Sequence, residues 1–128
     1  MLLNQRLADE ADRQLRQYVS QNALSDFVLT ESGVWLKHKQ VKKPTLTQNE
    51  RVTIHYSISD LQGNTLLDDE QTVIVGKNEL IAAISDMMPL MTTMDSATLL
   101  APWHQAYGAV GTKFIPAYTN VKIELQTL

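Results

Sequence analysis

The sequence contains no cysteine among its 128 residues, which excludes disulfide bonds, thiolate zinc sites and thiol nucleophiles. It also lacks any apolar run near the roughly 18 residues that a membrane-spanning helix requires. Polar residues follow Met1, Leu2 and Leu3 at once, so we expect no signal peptide. These absences predict either a cytoplasmic protein or the mature part of an exported one, with a membrane link only through a missing N-terminal anchor.

Positive charge is scarce as well. The net charge is −3, which argues against a nucleic-acid-binding surface. One basic cluster, residues 37–43, holds five Lys or His in seven residues, and we expect it to be a solvated strand end and loop. The three histidines, His38, His55 and His104, lie far apart without the spacing of metal ligands, so we expect no metal site.

Residues 1–21 have the pattern of an amphipathic helix. Apolar residues recur at three- and four-residue spacing, namely Leu3, Leu7, Ala11, Leu15 and Tyr18. The other face offers i,i+4 charge pairs, Asp9 with Arg13 and Asp12 with Arg16. Two interpretations stay open: the helix packs on its own domain, or it is an arm that pairs two copies into a homodimer.

Beyond Gly33 the apolar period changes from helical to alternating. Val52, Ile54, Tyr56 and Ile58 alternate with polar residues, which predicts a half-buried antiparallel strand. Val121, Ile123 and Leu125 predict a closing strand in the same way. Further extended segments are expected at residues 34–39, 66–67, 72–75 and 97–101.

A second helix is predicted from Asn78 to Met91. Asn78 is its expected N-cap, and Pro89 is expected to end or kink it. Its apolar face consists of Leu80, Ile81, Ile84, Met87, Met88 and Met91, and we expect the methionines to fill the core. The sequence therefore predicts an α+β fold, with an antiparallel sheet of about five strands packed against one helix.

Three segments in this order resemble the FKBP-type peptidyl-prolyl cis-trans isomerases: RVTIHYSISDLQGNTLLDD, VIVGKNELIAAI and APWHQAYGAVGTKFIPAYTNVKIEL. The resemblance implies an FKBP-like domain at residues 33–128, a five-stranded antiparallel sheet curved around one short helix, after an N-terminal helical segment at residues 1–32. The lead-in TESGVWLKH is similar to that of exported, often lipid-anchored bacterial members. This similarity implies a periplasmic or envelope-associated setting, with the cytoplasm as the alternative.

The resemblance also implies a substrate pocket and its residues. Tyr56 matches the family's wall tyrosine, and Tyr107 matches the loop tyrosine whose hydroxyl reaches a bound ligand. Leu80 and Ile81 match the aliphatic pair at the helix entry, which contacts the substrate. Ile84 takes the position of the floor tryptophan, which makes it the third catalytic position beside the two tyrosines.

Other pocket positions depart from the family pattern. Leu66 and Leu67 take the positions of a phenylalanine and an aspartate, and Ile123 takes that of a phenylalanine in the last strand. These three residues are the remaining substrate-binding candidates. The lining stays apolar, but it loses a flat ring on which a pyrrolidine can stack and also loses one carboxylate. We therefore expect the fold to survive and the catalysis to be weakened.

Prolyl isomerisation requires no nucleophile, metal or cofactor. The barrier of about 18–20 kcal/mol comes from amide resonance, and a dry pocket lowers it by holding the twisted amide better than the planar one. The resemblance thus implies a weak isomerase for X-Pro bonds in proline-containing or unfolded polypeptides. The alternative is a non-catalytic peptide-binding, chaperone or scaffold module of an envelope assembly.

The state of the pocket bears on this choice. An open pocket favours isomerisation or peptide binding, whereas a pocket filled by Ile84, Leu66 and Met88 favours a scaffold. Trp103 and His104 are expected at an exposed loop tip, where they could touch a partner.

Overall fold

The computed structural model describes residues 2–40 and 42–128, apart from the side chain of Leu2. Met1, at the start of the first predicted helix, and Val41, inside the basic cluster, lie outside the described residues. In chain order the elements are α1 (Leu2–Gln21), β1 (Val28–Leu29), β2 (Trp35–His38), β3 (Arg51–Asp60), β4 (Thr65–Ile74), α2 (Ala82–Met87), β5 (Ser96–Ala101) and β6 (Val121–Thr127). Short 3-10 helices occupy Met88–Leu90 and Trp103–Gln105.

The strands form one antiparallel sheet in the order β1-β2-β5-β6-β3-β4. The predicted α+β fold, with an N-terminal helix and one short helix against the sheet, is confirmed. A sixth strand, β1, was not predicted, because two exposed residues carry no periodic signal. The extended segments predicted at residues 66–67 and 72–75 are the two ends of β4, whose polar middle conceals its continuity.

The core lies between the sheet and α2. On β3 the residues at alternate positions, Val52, Ile54, Tyr56 and Ile58, are all buried, as their spacing predicts. Ala83, Ile84 and Met87 of α2 are buried against this face. Each large aliphatic side chain buried here contributes about 1.5–3 kcal/mol to stability, so the sheet and α2 hold each other in place.

Helix α2 is shorter than predicted. It spans six residues, 82–87, rather than residues 78–91. Asn78 is not its N-cap, because its φ of +53° lies in the left-handed region, which starts no helix. Ile81 occupies the cap position without a side-chain hydrogen bond. Pro89 stands in the first turn of the 3-10 helix that follows α2, where its missing N–H costs nothing.

Helix α1 packs on its own chain. Ala11 and Leu15 are only 2% and 0% exposed, whereas Leu3 at the start of the same stripe is 66% exposed. The predicted charge pairs of α1 do not form, since Arg13 pairs with Glu10 and Asp12 contacts His104 instead. Of the two interpretations, the structure shows the helix packed on its own domain. A role of α1 as a homodimer arm stays a prediction. Neither α1 nor α2 has a stretch long and apolar enough to traverse a bilayer.

The expectation that Trp103 and His104 are exposed at a loop tip is wrong. Trp103 is 8% exposed, and its Nε1 donates a hydrogen bond to the Leu7 carbonyl oxygen at 3.2 Å. His104 Nε2 lies 3.2 Å from Asp12 Oδ1. Both side chains therefore fasten α1 to the loop that follows β5.

The basic cluster is solvated only in part. Its lysines are exposed, as expected, but the His38 side chain is 8% exposed and its Nε2 lies 2.8 Å from Asp95 Oδ2. Asp95 also accepts hydrogen bonds from the amides of Thr92 and Ser96. Burial alone would raise the pKa of Asp95, but these three hydrogen bonds outweigh burial and hold that pKa below its ordinary value.

We expect the substitution Asp95→Asn to remove a pH-dependent part of the stability. A depressed folded-state pKa stabilises the protein above the unfolded pKa of about 3.9, and this stabilisation is lost as the pH falls through the folded value. The loss in free energy of unfolding should be about 1–3 kcal/mol at pH 7, because buried donors lose their partner, and should shrink below pH 4. Urea unfolding between pH 3 and 7 measures this, with Asp86→Asn as the control, because Asp86 is exposed and has no hydrogen bond or ion pair to a described residue. A difference that is the same at every pH would contradict the prediction.

Candidate functional site

A recess of about 550 Å³ opens on the side of the sheet that α2 covers. Strands β3 and β4 supply one wall, the chain entering α2 supplies the floor, and the loop between β5 and β6 supplies the other wall. Its lining consists of Tyr56, Leu67, Asp69, Gln71, Glu79, Leu80, Ile81, Ile84, Tyr107, Thr112 and Phe114.

The β3–β4 wall carries a polar network. Tyr56 and Asp69 lie directly opposite each other on paired strands, and the Tyr56 hydroxyl donates to Asp69 Oδ2 at 3.3 Å. Gln71 Nε2 donates both to the Tyr56 oxygen at 2.9 Å and to Asp69 Oδ2 at 3.0 Å. These contacts fix the phenol ring on the wall of the recess, although Tyr56 is only 3% exposed.

The charges of this network follow from its surroundings. The hydrogen bonds from Gln71 and from the Glu70 amide hold the pKa of Asp69 below its ordinary value. Burial, followed by the neighbouring Asp69 charge, raises the pKa of Tyr56 to about 12. At neutral pH the wall therefore presents one carboxylate and one neutral phenol.

Tyr107 faces this wall from the loop between β5 and β6. It is half-buried, and burial together with the Asp69 charge raises the pKa of its phenol. None of residues 2–40 and 42–128 hydrogen-bonds its hydroxyl, which is therefore free to donate to a ligand. Backbone hydrogen bonds within the loop hold Tyr107 in place, from Gly108 to Trp103 and from Gly111 to Tyr107. At Gly111, whose φ is +73°, a Cβ would collide with the Ile115 carbonyl oxygen, so the tight loop requires glycine.

The floor is aliphatic. Ile84 is 1% exposed and reaches the recess from α2, while Leu80 and Ile81 are partly buried at its entry. Leu67 closes the floor on the β4 side. The recess stays open, since Met88 is buried away from it and Leu66 does not line it. The structure therefore shows an open recess rather than the filled pocket that would favour a scaffold.

Six of the eight residues predicted as site residues line the recess: Tyr56, Tyr107, Ile84, Leu67, Leu80 and Ile81. The other two do not. Ile123 is fully buried on β6 between Ile58 of β3 and Leu99 of β5. Leu66 is the extra residue of a β-bulge, because the register steps from the pair Ile58 and Leu67 to the pair Ser59 and Thr65.

The expectation that the pocket loses its carboxylate is wrong. Asp69 stands in the lining beside Tyr56. Counting residues from the turn at Gly63 aligns the family's aspartate with Leu67. Strand pairing instead places Asp69 opposite Tyr56. Phe114, Thr112 and Glu79 were also missed, and their positions in loops give no periodic signal.

The recess can bind an apolar ring that carries a polar group. Its floor is apolar, the free hydroxyl of Tyr107 stands on one wall, and the carboxylates of Asp69 and Glu79 also line it. The described residues contain no group of three or more His, Asp or Glu side chains able to hold a metal ion. Such a lining is suited to binding and orienting a ligand.

Comparisons with known proteins agree with this geometry. A sequence model described as FKBP-type peptidyl-prolyl cis-trans isomerase matches residues 42–127, which include every residue lining the recess. A search of curated protein sequences found no significant match.

Three solved structures resemble the fold. FkpA from Escherichia coli has a TM-score of 0.76 at 14% identity, covering 97% of this chain and 61% of that longer one. AtFKBP13 has a TM-score of 0.69 at 22% identity, with 78% of this chain and 94% of that one covered. A peptidyl-prolyl cis-trans isomerase from Pseudomonas syringae pv. tomato has a TM-score of 0.74 at 20% identity, with 94% and 93% covered. At these identities the similarity shows the fold alone.

Proposed function

The chain belongs to the FKBP-type peptidyl-prolyl cis-trans isomerase family, and from this premise we propose that it accelerates the isomerisation of X-Pro bonds in polypeptides. The substrate class is a proline-containing or unfolded chain. The observation that carries the proposal is the open recess in which Tyr56 and Tyr107 face each other above the aliphatic floor of Ile81 and Ile84.

The recess lowers the rotation barrier by selective binding. Twisting the C–N bond breaks amide resonance and leaves a less polarised carbonyl, which a dry apolar site favours over the planar amide that water stabilises. The pyrrolidine ring rests on the floor, and the Tyr107 hydroxyl donates to a carbonyl of the bound segment. Because these contacts are better in the twisted state, they raise the rate rather than the ground-state affinity alone.

The activity is proposed to be weak. Ile84 offers a branched aliphatic surface at the floor, where a flat ring would stack on the proline. An aromatic partner contributes about 0.5–1.5 kcal/mol beyond area burial, so its absence weakens the hold on the twisted proline.

A refolding assay limited by proline isomerisation tests the proposal. The wild-type protein should accelerate the slow phase, and Tyr107→Phe should lower kcat/KM about threefold, since one hydrogen bond to a neutral group contributes about 0.5–1.5 kcal/mol. Tyr118→Phe is the matched control from the same loop, because its hydroxyl donates to Asn4 outside the recess. Background rates with every X-Pro substrate would refute the isomerase.

The substituted floor favours a second candidate, a non-catalytic module that holds a proline-containing segment of a partner. Peptide binding and refolding rate, measured together, distinguish this module from an isomerase. A module binds proline peptides in the recess, with chemical-shift changes at Tyr56 and Tyr107, yet leaves the refolding rate at background. An isomerase does both.

Setting and assembly are part of the proposal. We place the protein in the envelope of a bacterium, on the similarity of TESGVWLKH to exported members, with the helical segment 1–32 preceding the domain 33–128. Leu3 is exposed on α1 and would be the first contact of a homodimer formed through that helix. Sedimentation of the intact chain and of Leu3→Glu tests this, and equal monomer masses at every concentration would exclude the dimer.

A further inference from the structure

A second recess lies on the other flank of α2. It has a volume of about 300 Å³ and is open to solvent. Its floor is apolar and comes from three elements: Val34 and Leu36 of the β2 region, Met87 of α2 and Leu99 of β5. Val34, Met87 and Leu99 are buried, and Leu90 stands exposed at the mouth. The volume is at the small end of the range for ligand cavities, about 300–1,000 Å³, and has room for an aliphatic side chain together with part of its backbone.

The rim of this second recess is acidic. Glu31 stands on one side and Asp86 on the other, and both side chains are exposed. Among the residues that the structure describes, no Lys or Arg lines the recess. Neither carboxylate forms an ion pair with a described residue. The rim therefore attracts a positively charged group and repels an acidic one.

The free edge of the sheet lies close to Glu31 along the chain. Glu31 comes two residues after β1, which is the last strand of the sheet on this side and pairs only with β2 in the described chain. Val28 and Leu29 of β1 are 66% and 40% exposed. An unpaired strand edge accepts the backbone of an extended segment, a mode of recognition in which side chains of the segment enter neighbouring pockets.

We propose that this second recess binds an extended polypeptide segment in which an aliphatic side chain is flanked by Lys or Arg. The aliphatic group fills the floor formed by Leu36, Met87 and Leu99, and the cations lie against Glu31 and Asp86. No proline is needed. The chain thus has two peptide-binding recesses of different selectivity, separated by the single short helix α2.

An NMR titration of the full-length protein with the proline-free peptide Ac-Lys-Leu-Leu-Lys-NH2 tests the proposal. The amides of Leu36, Met87 and Leu99 should shift and saturate. The matched peptide Ac-Glu-Leu-Leu-Glu-NH2 should bind several-fold more weakly. The double variant Glu31→Gln, Asp86→Asn should weaken binding of the lysine peptide about threefold, the size expected for exposed charge pairs.

Controls separate this proposal from the isomerase. The double variant Asp9→Asn, Glu70→Gln removes two exposed acids that do not line the recess and should leave the affinity unchanged. Because the probe contains no proline, failure of the isomerase assay leaves this result standing, and the reverse also holds. Three outcomes overturn the proposal: shifts confined to Tyr56 and Tyr107, equal affinity for the acidic peptide, or concentration-dependent shifts without peptide, which would mean that a second copy fills the recess.

Discussion

Replacing Trp103 by alanine is expected to lower the free energy of unfolding by about 3–5 kcal/mol, the usual cost of deleting a large buried aromatic side chain. The indole is nearly buried and packs edge-on against Tyr118, with ring centroids 4.8 Å apart at an interplanar angle of 78°. It also carries the hydrogen bond to the Leu7 carbonyl oxygen. The substitution removes all three contributions at once.

The same substitution should loosen α1 and the Tyr107 loop together. The amides of Ala106 and Gly108 both donate to the Trp103 carbonyl oxygen, so the residue that fastens α1 also shapes the start of the loop. Asn120 reinforces this link, since it accepts from the Trp103 amide and donates to Gln14 of α1. We expect faster hydrogen exchange in α1 and at Gly108.

Denaturant unfolding and hydrogen exchange measure these effects. Trp103→Phe keeps most of the apolar area and should cost less than the alanine variant. Val110→Ala is the control for the loop, because Val110 is 91% exposed and should change stability by less than about 0.5 kcal/mol. A loss below 1 kcal/mol in Trp103→Ala, or unchanged exchange in α1, would show that Trp103 does not fasten the helix.

Local periodicity explains which parts of the fold were predictable. Strands β3 and β6 show strict alternation in the sequence and the same alternation in burial. Helix α2 was predicted too long, because the apolar spacing of Leu80 and Ile81 fits a helix while the left-handed Asn78 and the turn at Gly76 do not permit one. Apolar periodicity shows which face of a helix or strand is buried, but it says little about the residues at which that element begins and ends.

Contacts between distant parts of the chain were not predictable. Trp103 lies 96 positions from Leu7, and neither local sequence indicates the other. His38 was assigned to a solvated cluster because its neighbours are lysines, whereas its partner Asp95 is 57 positions away. The His38 contact depends on sheet topology, which brings the end of β2 beside the start of β5, whereas the Trp103 contact depends on how α1 packs against the 3-10 helix after β5.

The candidate site was predictable where a family motif marks it and not where strand pairing sets it. Tyr56, Tyr107 and Ile81 came from motif positions and all line the recess. Asp69 was missed because the family pattern aligns its aspartate with Leu67, whereas strand pairing places Asp69, two residues further along β4, opposite Tyr56. Only the register of β3 and β4 shows which residue lies opposite Tyr56. The family motif alone therefore could not identify Asp69 as the carboxylate beside Tyr56.

The floor of the recess supplies the second large expected effect. Substituting Ile84→Trp should raise kcat/KM about two- to tenfold. The indole provides a flat face for the pyrrolidine, a contact of about 0.5–1.5 kcal/mol, and a difference of about 1.4 kcal/mol between transition states is tenfold in rate. The open volume of about 550 Å³ above Ile84 has room for the ring. Overpacking of the buried position should still cost about 1–3 kcal/mol of stability.

Kinetics and binding must be measured together on this variant. Ala82→Trp is the matched control, since it adds the same ring at an exposed position of α2 and should leave kcat/KM unchanged. If the indole stacks better on the twisted proline, the isomerisation rate rises more than the affinity for a proline peptide. If affinity rises while the rate stays at background, the recess is a binding site for proline without catalysis. If neither changes, proline does not rest on Ile84 and this position has no part in either function.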